Sequence, residues 1–267
     1  MFKKVRLYKN SSYFNIELSF LEKLKSMDTF KKNFLSEGYV AIPELLTIDE
    51  VKELQAIYNQ LLSEKEKTKG LRSDLAGNTV AENEKMERIT QIMRPSLVEE
   101  KLQNHHAYQK ALQWAKQLLG DDMDLDFDML INKAPHTNTE TPWHQDAAYW
   151  IDLPDKRAAS CWIALDNVHE ENGCMWFLPV KEQEVLPHQS LSGGGALYCN
   201  SDTTGAQAVP LLAGGCTFHD GFTLHYSKGN TTNGPRRALI LNFRPKQMIL
   251  LEREQGMDHT GDRKKRS

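Results

Sequence analysis

From Met123 to Phe243 the chain reads as short runs of β-branched and aromatic residues cut by turn signals. "MDLDFDMLI" at Met123–Ile131 alternates apolar and acidic residues before becoming fully apolar, which is the period of two that a strand imposes. "AASCWIALDNV", "GCMWFLPV", "GGALYCN", "GCTFHD", "FTLHYS" and "RRALILNF" follow. Asn172-Gly173, Gly193-Gly194-Gly195, Gly214-Gly215 and Asn233-Gly234 separate them. Strands this short and this closely spaced predict a sandwich or jelly roll. The chain is therefore expected to be mostly β with flanking helices.

The first half has a different rhythm. Asp28 caps a short helix to Ser36, ended by Gly38, and Tyr39–Leu46 is a strand and a turn. "TIDE" at Thr47–Glu50 matches a capping box, opening a helix to about Lys67 with Val51, Leu54, Ile57, Tyr58, Leu61 and Leu62 on one stripe. Leu71–Lys85 is polar and irregular, and a second helix runs from Pro95 to Leu119, stopped by Gly120. Neither a repeat nor a low-complexity tract divides the 267 residues, so a single domain over 1–267 is expected. Within it, 28–120 is mainly helical, 121–246 forms the β core, and 1–27 and 247–267 are terminal extensions.

A net charge of −3 gives no global attraction to nucleic acid or anionic membrane, and the basic ends, Phe2–Lys9 and Arg263–Ser267, are expected to be solvated tails. Cys161, Cys174, Cys199 and Cys216 form no CxxC pair, which argues against a thiolate zinc site and suits a reducing compartment. With no long apolar run, no secretory signal and no S-K-L ending, a cytoplasmic protein is expected.

Chemistry concentrates in "TPWHQDAAYW" at Thr141–Trp150. His144 and Asp146 stand two apart, so on a strand or at its end they can serve one ion. Imidazole plus carboxylate belongs to the 2-His-1-carboxylate set that leaves positions open on Fe(II). His225, in "FTLHYSKGNTTNGPRRALILNF", is the candidate third ligand. If Phe222–Ser227 and Pro235–Phe243 pair as a hairpin, His225 lies opposite Arg236, whose planar fork suits a carboxylate. A metal beside such an arginine fits a chelating 2-oxo acid.

Four segments then carry a resemblance: "MLINKAPH" at Met129–His136, "HQDAAYW" at His144–Trp150, "CWIALDNVHEENGCMWFLP" at Cys161–Pro179 and "TFHDGFTLHYSKGNTTNGPRRALI" at Thr217–Ile240. In order and spacing the chain resembles the phytanoyl-CoA dioxygenase family of Fe(II)- and 2-oxoglutarate-dependent oxygenases. The resemblance implies a double-stranded β-helix, a cupin-like jelly roll, with the N-terminal helices packed on one sheet. It implies that His144, Asp146 and His225 hold iron, and that Arg236 binds the distal carboxylate of 2-oxoglutarate with help from Ser227. Met129, Gln145 and Trp162 fall at positions lining the co-substrate pocket, and Arg88 falls near a basic co-substrate contact. The implied reaction consumes O2, releases succinate and CO2, and hydroxylates an unactivated C–H bond of a small molecule, an acyl-CoA or an acid among them. Related halogenases lack the carboxylate ligand, so Asp146 argues against halogenation. Pro179-Val180-Lys181-Glu182 and Gly215-Cys216 depart from the family pattern beside the site.

A non-catalytic metal- or small-molecule-binding protein on the same fold stays open as an alternative, as does a zinc hydrolase, for which no general base is evident. His219-Asp220 is expected in a turn without a metal role, and His105-His106 on a helix surface. Trp143, Tyr149 and Trp150 either line an apolar substrate pocket or pack the core. Gly193–Gly195 is expected to be a flexible loop, with a lid as one reading.

Overall fold

Alternation along one long strand explains the layering. In Arg236–Pro245, Ala238 and Ile240 join one buried cluster, while Leu239, Leu241 and Phe243 join another. A strand whose two faces are both buried lies between two layers. The computed structural model describes residues 27–77, 87–179, 184–191 and 196–260.

Helix α1 (residues 27–37) leads into β1 (Tyr39–Ile42), α2 (Ile48–Ser63), β2 (Arg72–Asp74), β3 (Ile89–Met93), α3 (Glu100–Gln103) and α4 (His106–Leu119). There follow β4 (Met123–Lys133), β5 (Thr141–His144), β6 (Ala159–Ala164), β7 (Met175–Leu178), β8 (Gln189–Ser190), β9 (Leu197–Tyr198), β10 (Gln207–Val209), β11 (Cys216–His219), β12 (Leu224–Ser227), β13 (Arg236–Pro245) and α5 (Lys246–Glu254). Two antiparallel sheets dominate. The larger runs β1-β11-β6-β13-β4-β3-β2, and the smaller runs β10-β7-β12-β5. Strands β8 and β9 form a separate pair.

The outer face of the large sheet is covered by helices. Val51, Leu54, Tyr58 and Leu61 of α2 and Ala111, Ala115 and Leu118 of α4 pack on Ile163, Phe218, Leu239 and Leu241. Its inner face meets the small sheet through Met129, Trp162 and Ile240 against Met175 and Phe177. Tyr39 of β1 stacks on Phe177 of β7 at 4.5 Å. The expected mostly-β chain with helices on one sheet is what is found.

Local signals account for several boundaries. Thr47 and Glu50 make the capping box, each side chain accepting from the other's backbone N–H. Gly38 ends α1 with φ +79°, and its N–H reaches the Phe34 carbonyl at 2.9 Å. Other expectations need correction. Helix α2 stops at Ser63 rather than near Lys67. Strands β2 and β3, in a region read as helical with a single strand, extend the large sheet. The helix expected over Pro95–Leu119 is broken into a 3-10 turn (Pro95–Leu97), α3 and α4, because Glu99 and His105 take extended backbone and each caps the helix that follows. His105 is buried, not exposed: its Nδ1 accepts from the Ala107 N–H at 3.1 Å and caps α4. The basic ends, the triple glycine and Val180-Lys181-Glu182 lie outside the described residues.

Two acids of "MDLDFDMLI", Asp126 and Asp128, are buried and paired. Asp128 accepts from Tyr108 Oη at 2.6 Å and Ser96 Oγ at 2.9 Å. Asp126 belongs to a buried ionic cluster with Arg244, Glu252, Arg253 and His259, which ties α5 and the segment after it to β4 and β13. Burial pushes the Asp126 carboxyl up, but His259 and the two arginines together outweigh it and hold it at about 2. That is below the unfolded value, so the pairing stabilises the fold above about pH 4 and is lost as pH falls toward 2. Asp126→Ala leaves the buried Arg244 and the half-buried Arg253 short of a partner. It is expected to lower unfolding stability by roughly 3 kcal/mol at neutral pH and to flatten the acid limb of the stability profile. Urea denaturation across pH 2–7 checks both.

Candidate metal centre and anion pocket

Strand β12 pairs with β5 on one side and β7 on the other, and this sets His225 directly opposite His144. The two rings lie 4.1 Å apart between centroids. The Nδ1 of His144 is 2.8 Å from the Pro142 carbonyl and that of His225 is 3.0 Å from the Thr223 carbonyl. A carbonyl only accepts, so each Nδ1 carries the proton and each Nε2 presents a lone pair. Burial first, and the neighbouring His144 and His219 imidazoles next, hold His225 well below the usual histidine range, which keeps it neutral.

Asp146 lies just beyond β5, at the first position of a short 3-10 turn, not on the strand itself. The Ala147 N–H, 2.8 Å from the Gly221 carbonyl, anchors that turn. Asp146 Oδ1 stands 3.9 Å from His144 Nε2 and 3.8 Å from His225 Nε2. All three ligand atoms fall within 4.8 Å of one another, and all three residues are buried. Two neutral imidazoles and a carboxylate in a water-poor cavity form a donor set suited to a divalent transition metal with positions left open.

The expected His225–Arg236 hairpin does not form. Strand β13 pairs with β4 and β6 in the large sheet, while β12 lies in the small sheet. Arg236 still reaches the site, across the gap between sheets: its Nη2 donates to Ser227 Oγ at 3.2 Å. Its guanidinium sits over Trp162 at 5.2 Å. It is 2% exposed, and Nε has no hydrogen-bond partner among the described residues. Burial pushes it down to about 10. The residue opposite Arg236 is Lys133, a second buried basic side chain, whose ammonium is pushed well below the usual lysine range by burial first and Arg236 next. Like charges directly opposed on a sheet repel. Lys133 is held by the carbonyls of Ser227 at 2.9 Å and Lys228 at 2.6 Å, while Arg236 has no carboxylate partner among the described residues. The pocket is thus prepared for an anion.

Leu75, Met129, Ile131, Tyr149, Trp162, Met175, Ala196 and Ile240 line the cavity around these polar groups. Other anticipated residues are elsewhere. The Gln145 side chain, despite standing between His144 and Asp146, bonds the Glu184 and Phe222 carbonyls and the Leu186 N–H. Arg88 donates to the Ala76 and Gly77 carbonyls and does not line the cavity. Trp143 stacks on Tyr226, and Trp150 packs under Arg244 at 4.2 Å. Only Tyr149 of that aromatic trio faces the cavity, edge-on to His144.

His219 is the residue that sequence reasoning set aside. It ends β11 rather than sitting in a turn, and its Nε2 is 3.3 Å from Asp146 Oδ2. The period of two carries the missing signal. Thr217 and His219 share the inner face, Cys216 and Phe218 the outer, and Asp220 plays no part in the cluster.

Asp126, Glu252 and His259 also bring three ligand atoms together. Arg244 and Arg253 already neutralise both carboxylates there, at 3.3, 3.6 and 3.1 Å for the contacts from Arg244 Nε, Arg244 Nη1 and Arg253 Nη1. A dication would face two guanidiniums, so this cluster is an ion network.

The family model for phytanoyl-CoA dioxygenase matches residues 34–238, which takes in both histidines, Asp146, Ser227 and Arg236. The chain belongs to the phytanoyl-CoA dioxygenase family. Among curated relatives it is 32% identical over 124 residues to phytanoyl-CoA dioxygenase domain-containing protein 1 of Mus musculus, 43% of each chain. The match thus spans under half the length of that relative. Among solved structures, EvdO2 from Micromonospora carbonacea var. aurantiaca complexed with 2-oxoglutarate is 27% identical, with a TM-score of 0.67 over 80% of this chain and 89% of that one. The epimerase SnoN, solved with Fe3+, alpha ketoglutarate and nogalamycin RO, shares the fold at 21% identity and a TM-score of 0.67, over 91% of this chain and 96% of that one.

Within this family member, Lys133 braces the end of β12 that carries Ser227. Lys133→Met removes the donor to the buried Ser227 carbonyl and the half-buried Lys228 carbonyl while relieving the repulsion on Arg236. The carbonyls dominate, because each buried acceptor left unpaired costs about 1–3 kcal/mol. Urea unfolding is expected to show a net loss of roughly 2 kcal/mol; unchanged stability contradicts the bracing role.

Proposed function

We propose that the protein is an Fe(II)- and 2-oxoglutarate-dependent dioxygenase that hydroxylates an unactivated C–H bond of a small molecule, with release of succinate and CO2. The observation that carries this is the pairing of two features in one cavity: Nε2 of His144 and His225 with Oδ1 of Asp146, and the buried Arg236, which has no carboxylate partner among the described residues. Family membership and the 2-oxoglutarate complex of EvdO2 support it. The facing antiparallel sheets, with helices outside the larger one, support a double-stranded β-helix in a single domain.

In this proposal His144, Asp146 and His225 hold the iron, and Arg236 with Ser227 holds the distal carboxylate of the co-substrate. The iron, when bound, supplies the oxidative decarboxylation of the 2-oxo acid and the activation of O2. The protein's residues bind, orient and exclude water. Met129, Trp162 and Ile240 wall the co-substrate with apolar surface, where the Arg236 charge acts with little screening. Leu75, Ile131, Thr141, Tyr149, Met175, Ala196 and Tyr226 are the remaining walls, and the substrate is proposed to lie against them. None of these walls carries a charge, so an uncharged part of the substrate is proposed to face the iron. No general base is required. Gln145, Arg88, Trp143 and Trp150 are left out of this proposal, because their side chains are engaged away from the cavity. The four free and buried cysteines support a reducing, cytoplasmic setting, and no helix among the described residues is long and apolar enough to cross a membrane.

Succinate formation after anaerobic loading with Fe(II) and 2-oxoglutarate, then addition of O2, tests the proposal with a panel of small molecules. Asp146→Ala is expected to abolish it. Arg236→Met is expected to raise the KM for 2-oxoglutarate by roughly 30-fold or more, the counterpart of about 2 kcal/mol for a buried charge pair. Absence of succinate from the unsubstituted protein across a broad panel favours a binding protein on the same fold.

A further inference from the structure

Asp146 is gripped on the oxygen that faces away from His144 and His225. The grip comes from one row of the large sheet. Ser160 of β6 is directly opposite His219 of β11 on one side and Asn242 of β13 on the other. All three point inward and are buried, beside Trp162, Ala164, Ala238 and Ile240 on the same face. Three adjacent strands thus spend inward positions on polar side chains at one level.

The donors converge on Asp146 Oδ2. Ser160 Oγ lies 2.7 Å from it and also 2.7 Å from Asn242 Oδ1. One hydroxyl has one hydrogen, so the arrangement that satisfies all three turns the Asn242 amide over. Its NH2 then donates to Ser160, and Ser160 donates to Asp146. His219 supplies the second donor through Nε2, 3.3 Å from Oδ2. Its ring is 2% exposed, and its Nδ1 has no hydrogen-bond partner among the described residues. A buried ring nitrogen left bare costs stability, and such costs are kept where the other end of the ring is needed.

We infer that His219 is a positioning residue of the metal centre: with Ser160 it occupies Oδ2 of Asp146, so that only Oδ1 is offered to an ion between His144 and His225. This rests on the proposal that the cluster binds metal. A carboxylate with both oxygens free can take two coordination positions, which removes one from a bidentate 2-oxo acid. Holding Oδ2 from the sheet keeps that position open. His219 therefore acts on co-substrate binding through the carboxylate, without touching the co-substrate.

The test uses Co(II) as the probe, added to the metal-free full chain and followed by visible absorption, with 2-oxoglutarate titrated afterwards. His219→Leu is expected to weaken Co(II) binding by roughly tenfold or more, the usual effect of removing a partner of a ligand. It should also alter the Co(II) spectrum and weaken 2-oxoglutarate binding to the Co(II)-loaded chain. His219→Gln, which keeps an N–H donor, is expected to restore most of both. Should His219→Leu fail to fold, Ser160→Ala removes the other donor and is expected to show the same two losses. Wild-type Co(II) affinity, spectrum and 2-oxoglutarate binding in the folded donor-less variant overturn the assignment. No Co(II) binding by the unsubstituted chain instead sinks the metal proposal on which it rests.

Discussion

The pairing of β12 between β5 and β7 is the constraint on which the site depends. It sets His225 opposite His144 and turns both Nε2 atoms toward Asp146. It also leaves β13 free to lie in the other sheet. Had β12 and β13 formed the local hairpin, Arg236 and Ser227 would share one sheet surface. Separated, they meet from facing sheets, Arg236 Nη2 3.2 Å from Ser227 Oγ, and both line the cavity between the sheets.

Charge is divided along the inner face of β13. One end carries Arg236 beside Lys133, and the other carries Asn242 in the row that holds Asp146. Ala238 and Ile240 lie between. The cationic end has no acid paired with it among the described residues, whereas Arg244 and Arg253 of the C-terminal cluster have two. An unmatched buried guanidinium is expensive to keep, and an anionic ligand is what offsets the expense. The matched pair in the C-terminal cluster is structural by the same reasoning.

Much of this was legible from the period of two. Alternation in "RRALILNF" puts Arg236, Ala238, Ile240 and Asn242 on one face, and "ASCWIA" puts Ser160 with Trp162. Extending that period from the pocket residues already named would have found Ser160, Asn242 and His219. Local chemistry identified the cap at Thr47 and the stop at Gly38. What stayed hidden was long-range pairing. Nothing local says that β12 prefers β5, some 80 residues earlier, to the adjacent β13. Nor does local pattern reveal that His105 turns inward to cap α4, or that Gln145, flanked by two candidate ligands, turns its amide to a backbone loop. Those outcomes follow from which backbone groups need partners in the folded chain.

The central claim is that one cavity joins a metal held by His144, Asp146 and His225 to an anion held by Arg236. Anomalous diffraction from crystals grown with Mn(II) and 2-oxoglutarate tests it most directly. The account predicts one strong Mn(II) peak among those three side chains and continuous density from the peak to a carboxylate on Arg236 and Ser227. A peak at Asp126, Glu252 and His259 instead, or a triad left empty while 2-oxoglutarate binds elsewhere, would contradict it.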